Sequence, residues 1–306
     1  MKLIMISAMY ENGGNTIHRF LDGHENLAVF PFESQLGTGF GNDFLSSLVP
    51  IRYRWPEFPA GVAAEDAYEM FWDEELKSLL RVPDRSKFRT CGLVMSEANR
   101  KAAFVDYCAR HGLSRRSLVA AYFHATFAAW ENFGRSGQES HWVGYNPVQV
   151  LDADKIFADF SDGHIIHIVR NPWSGYADTK KRPFPLSLHR YAWTWSLCQQ
   201  LALTSRAKYP GRFHLVRFEE LIADPRSVLS RLLHDIGLPM SERCLFPSFN
   251  GAALTEVFPW GTIRSPTSAS NLTTARSLSH EEQRAVSDDA KVMIDALDYT
   301  GFLERA

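Results

Sequence analysis

The chain has 306 residues, 45% of them hydrophobic, and a formal net charge of -2 from 33 Lys+Arg and 35 Asp+Glu. That balance exerts no global pull on nucleic acid or an anionic membrane, so an anionic ligand must be held by local groups. The length is enough to bury a sizeable core in one large α/β domain. Four cysteines, Cys91, Cys108, Cys198 and Cys244, lie far apart and form no CxxC pair. Neither a zinc site nor a disulfide framework is expected from that spacing. The apolar run at residues 3–9 is too short for a signal sequence, and no run approaches the roughly 18 apolar residues of a membrane span. A cytoplasmic protein without stable membrane insertion is expected.

In chain order, residues 2–8 read as a short buried strand, 9–15 as a loop with adjacent glycines, and 16–22 as a helix with Ile17, Phe20 and Leu21 at helical spacing. Residues 27–32 read as a second strand. From about 41 to 140 the texture is helical and aromatic, with helices at 64–80 and 118–133, and this stretch is expected to be an insertion. Strand character returns in HIIHIVRNP, residues 164–172, which ends at Arg170 before an Asn-Pro turn signal. A helix at 188–208, a strand at 212–221 and helices at 228–236 and 280–297 follow. Strands separated by helices predict an α/β fold with a central parallel sheet flanked by helices, in a single domain spanning 1–306.

A glycine loop between a first strand and a helix gathers main-chain N–H groups and the positive helix end around one point, which suits a phosphate or sulfate. An ordinary tight turn is the other reading of the loop alone. It lacks Gly-Lys-Ser/Thr, so the lysine and the magnesium-binding hydroxyl of a nucleotidase P-loop are missing.

Read with HIIHIVRNPWSGYADTKKRP and FHLVRFEELIADPRSVLSRLLHDIGLP, this loop resembles that of the sulfotransferases that use 3'-phosphoadenosine 5'-phosphosulfate (PAPS), with a divergent loop of bacterial type. The family's first helix ends in Leu-Leu-Asp-x-His-Pro, matched by Phe20-Leu21-Asp22-Gly23-His24. Its Val-Arg-Asp-Pro is matched by Val169-Arg170-Asn171-Pro172. Its Tyr-Glu-Asp-Leu, Asp-Pro and Gly-Leu are matched by Phe218-Glu219-Glu220-Leu221, Asp224-Pro225 and Gly237-Leu238. The resemblance implies a three-layer P-loop-like fold with a helical insertion, PAPS as donor, and 3'-phosphoadenosine 5'-phosphate (PAP) as product. It also implies that Asn12, Gly13, Gly14, Asn15 and Thr16 present donors to the 5'-phosphosulfate. Arg170 would hold the 3'-phosphate, and Arg264 and Ser265 would close over the nucleotide from a loop near the C-terminus.

Two positions depart from the family in charge. The loop's usual Arg or Lys falls on Glu11, and the serine eight residues after the motif arginine falls on Asp178, followed by Lys180, Lys181 and Arg182. Left uncompensated, Glu11 would repel the donor. Three readings are open: Glu11 orients Lys180 or Lys181 through an ion pair, it acts on the acceptor hydroxyl, or donor use has changed. Asp178 and Lys181 are counted with the nucleotide site and Glu11 with the catalytic candidates.

The resemblance places a catalytic glutamate near Glu33, the leading general base, although a solvated or capping carboxylate is its other reading. His124, His141, His164, His167 and His189 are rivals without motif support, and His24 fits an architectural position. No metal is expected, since no HExxH or cysteine cluster occurs. The acceptor is expected to be a hydroxyl on a carbohydrate, glycolipid or other small metabolite, bound by residues 41–140, where Tyr53, Trp55, Phe58, Phe71 and Trp72 are stacking candidates that serve a core equally well. A noncatalytic nucleotide-binding or partner-binding protein on the same scaffold is the alternative.

Overall fold

The computed structural model describes residues 1–41, 43–260 and 268–304. A five-stranded parallel sheet runs through its centre in the order β2-β3-β1-β4-β5, formed by β1 (Lys2–Ala8), β2 (Leu27–Val29), β3 (His141–Tyr145), β4 (His164–Val169) and β5 (Phe213–Arg217). Successive strand residues face opposite sides, so β1 sends Ile4, Ile6 and Ala8 into one apolar layer and Leu3 and Met5 into the other. The first layer is closed by helices α1 (Gly14–Leu21) and α10 (Pro225–Ile236). Between β2 and β3 the chain makes α2 (Ala64–Met70), α3 (Glu74–Arg81), α4 (Glu97–His111) and α5 (Arg115–Ala129), which pack on the second layer. Helices α6 (Ala153–Asp159), α7 (Pro172–Thr179), α8 (Leu188–Lys208), α9 (Phe218–Ala223), α11 (Ser268–Arg276), α12 (His280–Asp289) and α13 (Lys291–Ala296) complete the described helices. With helices on both faces and this strand order, the architecture is the three-layer P-loop-like fold. Its switch point lies at the carboxyl ends of β1 and β4, where α/β sheets hold their ligands.

Several elements differ from the sequence expectation for local reasons. The helix predicted over 64–80 is two helices, because Asp73 adopts a left-handed conformation at φ 43° between them. The strand expected over 212–221 stops at Arg217, where α9 begins. The Asn-Pro signal is a helix start: Pro172 takes the first position, where a missing N–H costs nothing, and Asn171 accepts from Ser174 N–H at 2.8 Å. Asp224-Pro225 repeats the device for α10, and Gly237 at φ 84° ends that helix.

The segment after β2 is fastened on two sides. Main-chain N–H groups of Phe30 and Ser34 donate to Val143 and Tyr145, extending the β3 contact, while Asp73 and Trp72 N–H groups donate to Gln35 and Gly37. Behind it, the fully buried Arg100 pairs with buried Asp73, and the Tyr122 hydroxyl lies 2.6 Å from the Ser34 carbonyl oxygen and 2.8 Å from Asp73 Oδ1. Removing one member of a buried pair strands the other charge. Asp73→Ala is therefore expected to lower the unfolding free energy by about 3–5 kcal/mol in urea melts. A loss below about 1 kcal/mol would show that Arg100 finds another counter-charge.

Candidate functional site

At the carboxyl ends of β1 and β4 a cavity of about 250 Å³ is lined by the glycine loop, Glu11, Glu33, Tyr53, Lys87, Tyr145, Arg170, Asp178 and Arg182, among others. The loop from Met9 to Gly13 reaches α1 through Gly13 at φ 90°. A Cβ on Gly13 would sit 2.4 Å from the Phe218 ring, and one on Gly14 2.4 Å from the Tyr145 ring, so two aromatic walls require both glycines. No side chain caps α1. Its first N–H groups, on Gly14, Asn15 and Thr16, have no intrahelical partner, and with Gly13 these residues line the cavity at the positive helix end.

Asn12, expected among those donors, is turned inward and only 1% exposed. Its Nδ2 donates to the Tyr10 carbonyl (2.8 Å) and the Tyr191 hydroxyl (3.0 Å), while Oδ1 accepts from Arg170 N–H and Trp195 Nε1–H, both at 3.1 Å. Its own N–H donates to the Met9 carbonyl. Asn12 thus holds the loop against β4 and α8 and has nothing left for a ligand.

Arg170 follows β4 and is nearly buried, with its guanidinium 5.0 Å from the Phe218 ring centre. Nε donates to Asn271 Oδ1 at 2.7 Å, and Nη1 donates to the Glu11 carbonyl at 3.0 Å and to Asp178 Oδ2 at 2.8 Å. Its second terminal nitrogen has no hydrogen-bond partner among the described residues. Burial pushes the Asp178 carboxyl up, but Arg170 and Lys181 outweigh it and hold the group below its ordinary range. Lys181 reaches the site only through that carboxylate, at 2.6 Å.

Glu11, at φ 58°, pairs with Arg182 through Nε at 2.6 Å. The expectation that it orients Lys180 or Lys181 is corrected: Lys180 pairs with Glu282, and Lys181 with Asp178. Arg182, three residues beyond α7, folds back over the Tyr10 ring, 5.4 Å from its centre, and supplies the counter-charge that Glu11 needs.

Glu33 lies four residues past β2, partly buried on the cavity wall. Burial and then the neighbouring Glu75 carboxylate push its carboxyl up to about 7, against the pull of Lys87, Arg52 and a hydrogen bond from Gln35. The hydroxyl-bearing Tyr53 and Tyr145 share the cavity, and burial followed by the charge of Glu33 raises both phenols above their ordinary range.

The histidine rivals lie elsewhere. His167 is buried between Ser7 and Gln199, and burial holds it down to about 4. His164 and His214 face each other at 3.1 Å, His141 contacts Ser140, and the His124 ring packs at a tilt against Tyr107. His24 Nε2 lies 2.9 Å from the Pro239 carbonyl and its Nδ1 accepts from Asn26 N–H, an architectural arrangement. Of the five stacking candidates only Tyr53 lines the cavity: Trp55, Phe58 and Phe71 pack within or against the core and Trp72 is largely exposed. Arg264 and Ser265 lie outside the described residues. No group of three or more His, Cys, Asp or Glu side chains has the geometry of a metal site among the described residues, and no described helix is long and apolar enough to cross a membrane.

Sequence reasoning missed four contributors. Arg182 was grouped with its lysine neighbours, and Lys87 and Glu75 lie in the helical stretch without a motif. Glu219 sat inside a recognised motif without an assigned task. Its Oε1 accepts from Asn171 N–H, Asn171 Nδ2 and Asn271 Nδ2, and its Oε2 from the Tyr299 hydroxyl, so it ties α9, α11 and the chain after β4 together behind Arg170.

Fold and site together define an α/β protein with a glycine loop at a helix N-terminus and a carboxylate of raised proton affinity in one cavity. Residues 65–242, more than half of the chain, match the sequence model of the sulfotransferase family. The chain belongs to the sulfotransferase family and is an enzyme of that class. Two solved structures share its architecture. The sulfotransferase domain from the curacin biosynthetic pathway is 15% identical, with a TM-score of 0.52 over 94% of this chain and 97% of that one. The sulfotransferase domain from the Synechococcus PCC 7002 olefin synthase is 16% identical, with a TM-score of 0.55 over 95% and 94%. At these identities the likeness is one of fold. No curated protein matches the sequence.

The geometry separates loop-holding residues from ligand-facing ones. Asn12→Ala removes four hydrogen bonds, three of them buried, and strands their partners, so a stability loss of about 2–3 kcal/mol in urea melts is expected. An unchanged melting midpoint would sink that assignment.

Proposed function

We propose that the protein transfers a sulfuryl group from PAPS to a hydroxyl on a small-molecule or glycan acceptor, with Glu33 as general base. The observation that carries this reading is the meeting, in one cavity, of the N–H groups of residues 13–16, which have no partner among the described residues, the Arg170 guanidinium and a carboxyl pushed up to about 7.

The bound donor supplies the sulfuryl group, whose bond to the 5'-phosphate breaks as the bond to the acceptor oxygen forms. The chain's part is to hold both partners in line, spread charge and take a proton. The loop N–H groups of residues 13–16 and the α1 terminus hold the phosphosulfate end. Arg170, with one terminal nitrogen uncommitted, holds the 3'-phosphate by a charged hydrogen bond. Asp178 and Lys181 set the charge around that contact. Glu11 serves the site by placing Arg182, whose guanidinium stands where the family's loop cation is missing. Glu33 accepts the hydroxyl proton, and a carboxyl near 7 is well matched to the task at neutral pH. The helical stretch at 41–140 faces the acceptor, since it contributes Tyr53 and Lys87 to the wall.

Calorimetric titration with PAP, with ADP and ATP-magnesium as comparators, tests the donor. Preferential binding of the 3'-phosphorylated nucleotide is expected, and preference for ATP-magnesium would refute the donor assignment. Arg170→Ala should weaken PAP binding by about 1.5–3 kcal/mol, and unchanged affinity in the folded variant would remove its phosphate role. PAP release from PAPS in the presence of alcohols, phenols and sugars tests transfer. Glu33→Gln should slow it by about 10²–10⁴-fold while leaving PAP affinity intact. Because the base must be unprotonated, wild-type turnover should fall as pH drops through about 7. A rate independent of pH between 5 and 8, roughly the span over which such a carboxyl changes charge, would assign the base elsewhere.

A further inference from the structure

Around Glu33 the chain builds more than a cavity wall. Glu75, in the first turn of α3, directs Oε2 at the Glu33 main-chain N–H, which donates to it at 3.1 Å. Its Oε1 accepts from the Lys87 ammonium at 2.6 Å. The Glu75 N–H in turn donates to Gln35 Oε1 at 3.3 Å, so the two segments hold each other in both directions. The Asp73 and Trp72 N–H groups, donating to the Gln35 and Gly37 carbonyls, continue this zipper along the segment. Glu75 is mostly enclosed, with 12% of its side chain exposed, whereas Lys87 is 46% exposed and lines the cavity.

We propose that Glu75 is a positioning residue for the general base, with its carboxylate clamped between the Glu33 main chain and Lys87 so that one group fixes the loop and sets the charge beside the reacting carboxylate. The inference rests on Glu33 being the base, as proposed above. A carboxylate whose only task was to cap a loop N–H could be replaced by a neutral amide without changing how Glu33 titrates. The geometry gives it a second task, because the carboxylate held at the Glu33 main chain is also paired with Lys87, whose ammonium-bearing side chain lines the cavity with Glu33. Like charge from Glu75 opposes ionisation of Glu33, and Lys87 favours it. The other groups facing Glu33 are Arg52 and Tyr53 from residues 51–53, Tyr145 from β3, Tyr10 from the glycine loop, and Gln35 on its own segment. Arg52 is itself paired with Glu74 at 2.7 Å, and Glu11 with Arg182, so Glu75 and Lys87 are the charges that a single substitution changes most directly.

The test is a carboxyl carbon NMR titration of the full chain carrying ¹³C-labelled glutamate, with PAP as the bound probe. The Glu33 signal is identified by its loss in Glu33→Gln. In the wild type its midpoint should lie near 7. Glu75→Gln keeps an oxygen for the Glu33 N–H while removing the charge, and should lower the midpoint by about one unit or more. Lys87→Met should raise it. Midpoints that coincide in all three proteins, or a wild-type midpoint in the ordinary glutamate range, would overturn the proposal. Failure of the base assignment reads differently: Glu33→Gln would then release PAP from PAPS at the wild-type rate, whatever the titrations show.

Discussion

A single buried amide holds the site in register. Asn12 has room for two donated and two accepted hydrogen bonds, and the structure fills all four with Tyr10, Tyr191, Arg170 and Trp195. An amide satisfied in that way has one low-energy orientation, because rotating it would set its oxygen against the Tyr10 carbonyl and its NH₂ against the Arg170 N–H. The glycine loop, the residue that follows β4, and α8 are therefore fixed relative to one another before any ligand arrives. Tyr191 Oη stands 2.0 Å from where a Cβ on Gly175 would lie, so the same contact also requires a glycine in α7.

A second layer of buried polar groups supports this one. Glu219 gathers four hydrogen bonds from Asn171, Asn271 and Tyr299, and Asn271 then holds Arg170 Nε. On the other side of the cavity, the Arg100–Asp73–Tyr122 cluster braces the segment that carries Glu33. One half thus rests on a part-buried carboxylate saturated by neutral donors and the other on a buried ion pair, an arrangement that secures geometry more than it adds stability. Rigid support of this kind is what a transfer reaction needs, since its rate depends on alignment of the reacting atoms.

Much of this was legible in the sequence because the informative signals are local. β1, the glycine loop, the Phe20–His24 helix end, Arg170 after its apolar strand and the Asp224-Pro225 to Gly237 helix are short-range patterns, and each stands in the structure close to where its pattern falls. The strand His141–Tyr145 escaped because a buried central strand with His, Trp and Gly lacks alternation. The break at Asp73 escaped because an αL residue within an apolar-periodic stretch leaves no mark on the period. Charge pairing was the least legible. The partner of Glu11 depends on how the chain turns after α7, which is a tertiary property, so the choice of Arg182 over its two lysine neighbours could not be made from spacing. Glu75 and Lys87 meet Glu33 only because α3 folds back along the segment after β2.

The cations around the cavity each carry a tethered carboxylate: Arg170 and Lys181 share Asp178, Arg182 has Glu11, Lys87 has Glu75 and Arg52 has Glu74. Such a pocket behaves unlike an open basic patch. Its positive charge is already matched by counter-ions that cannot diffuse away. What stays open to a ligand, among the described residues, is the set of loop N–H groups together with one terminal nitrogen of Arg170, so hydrogen-bond geometry and not bare charge is what the pocket has left to offer.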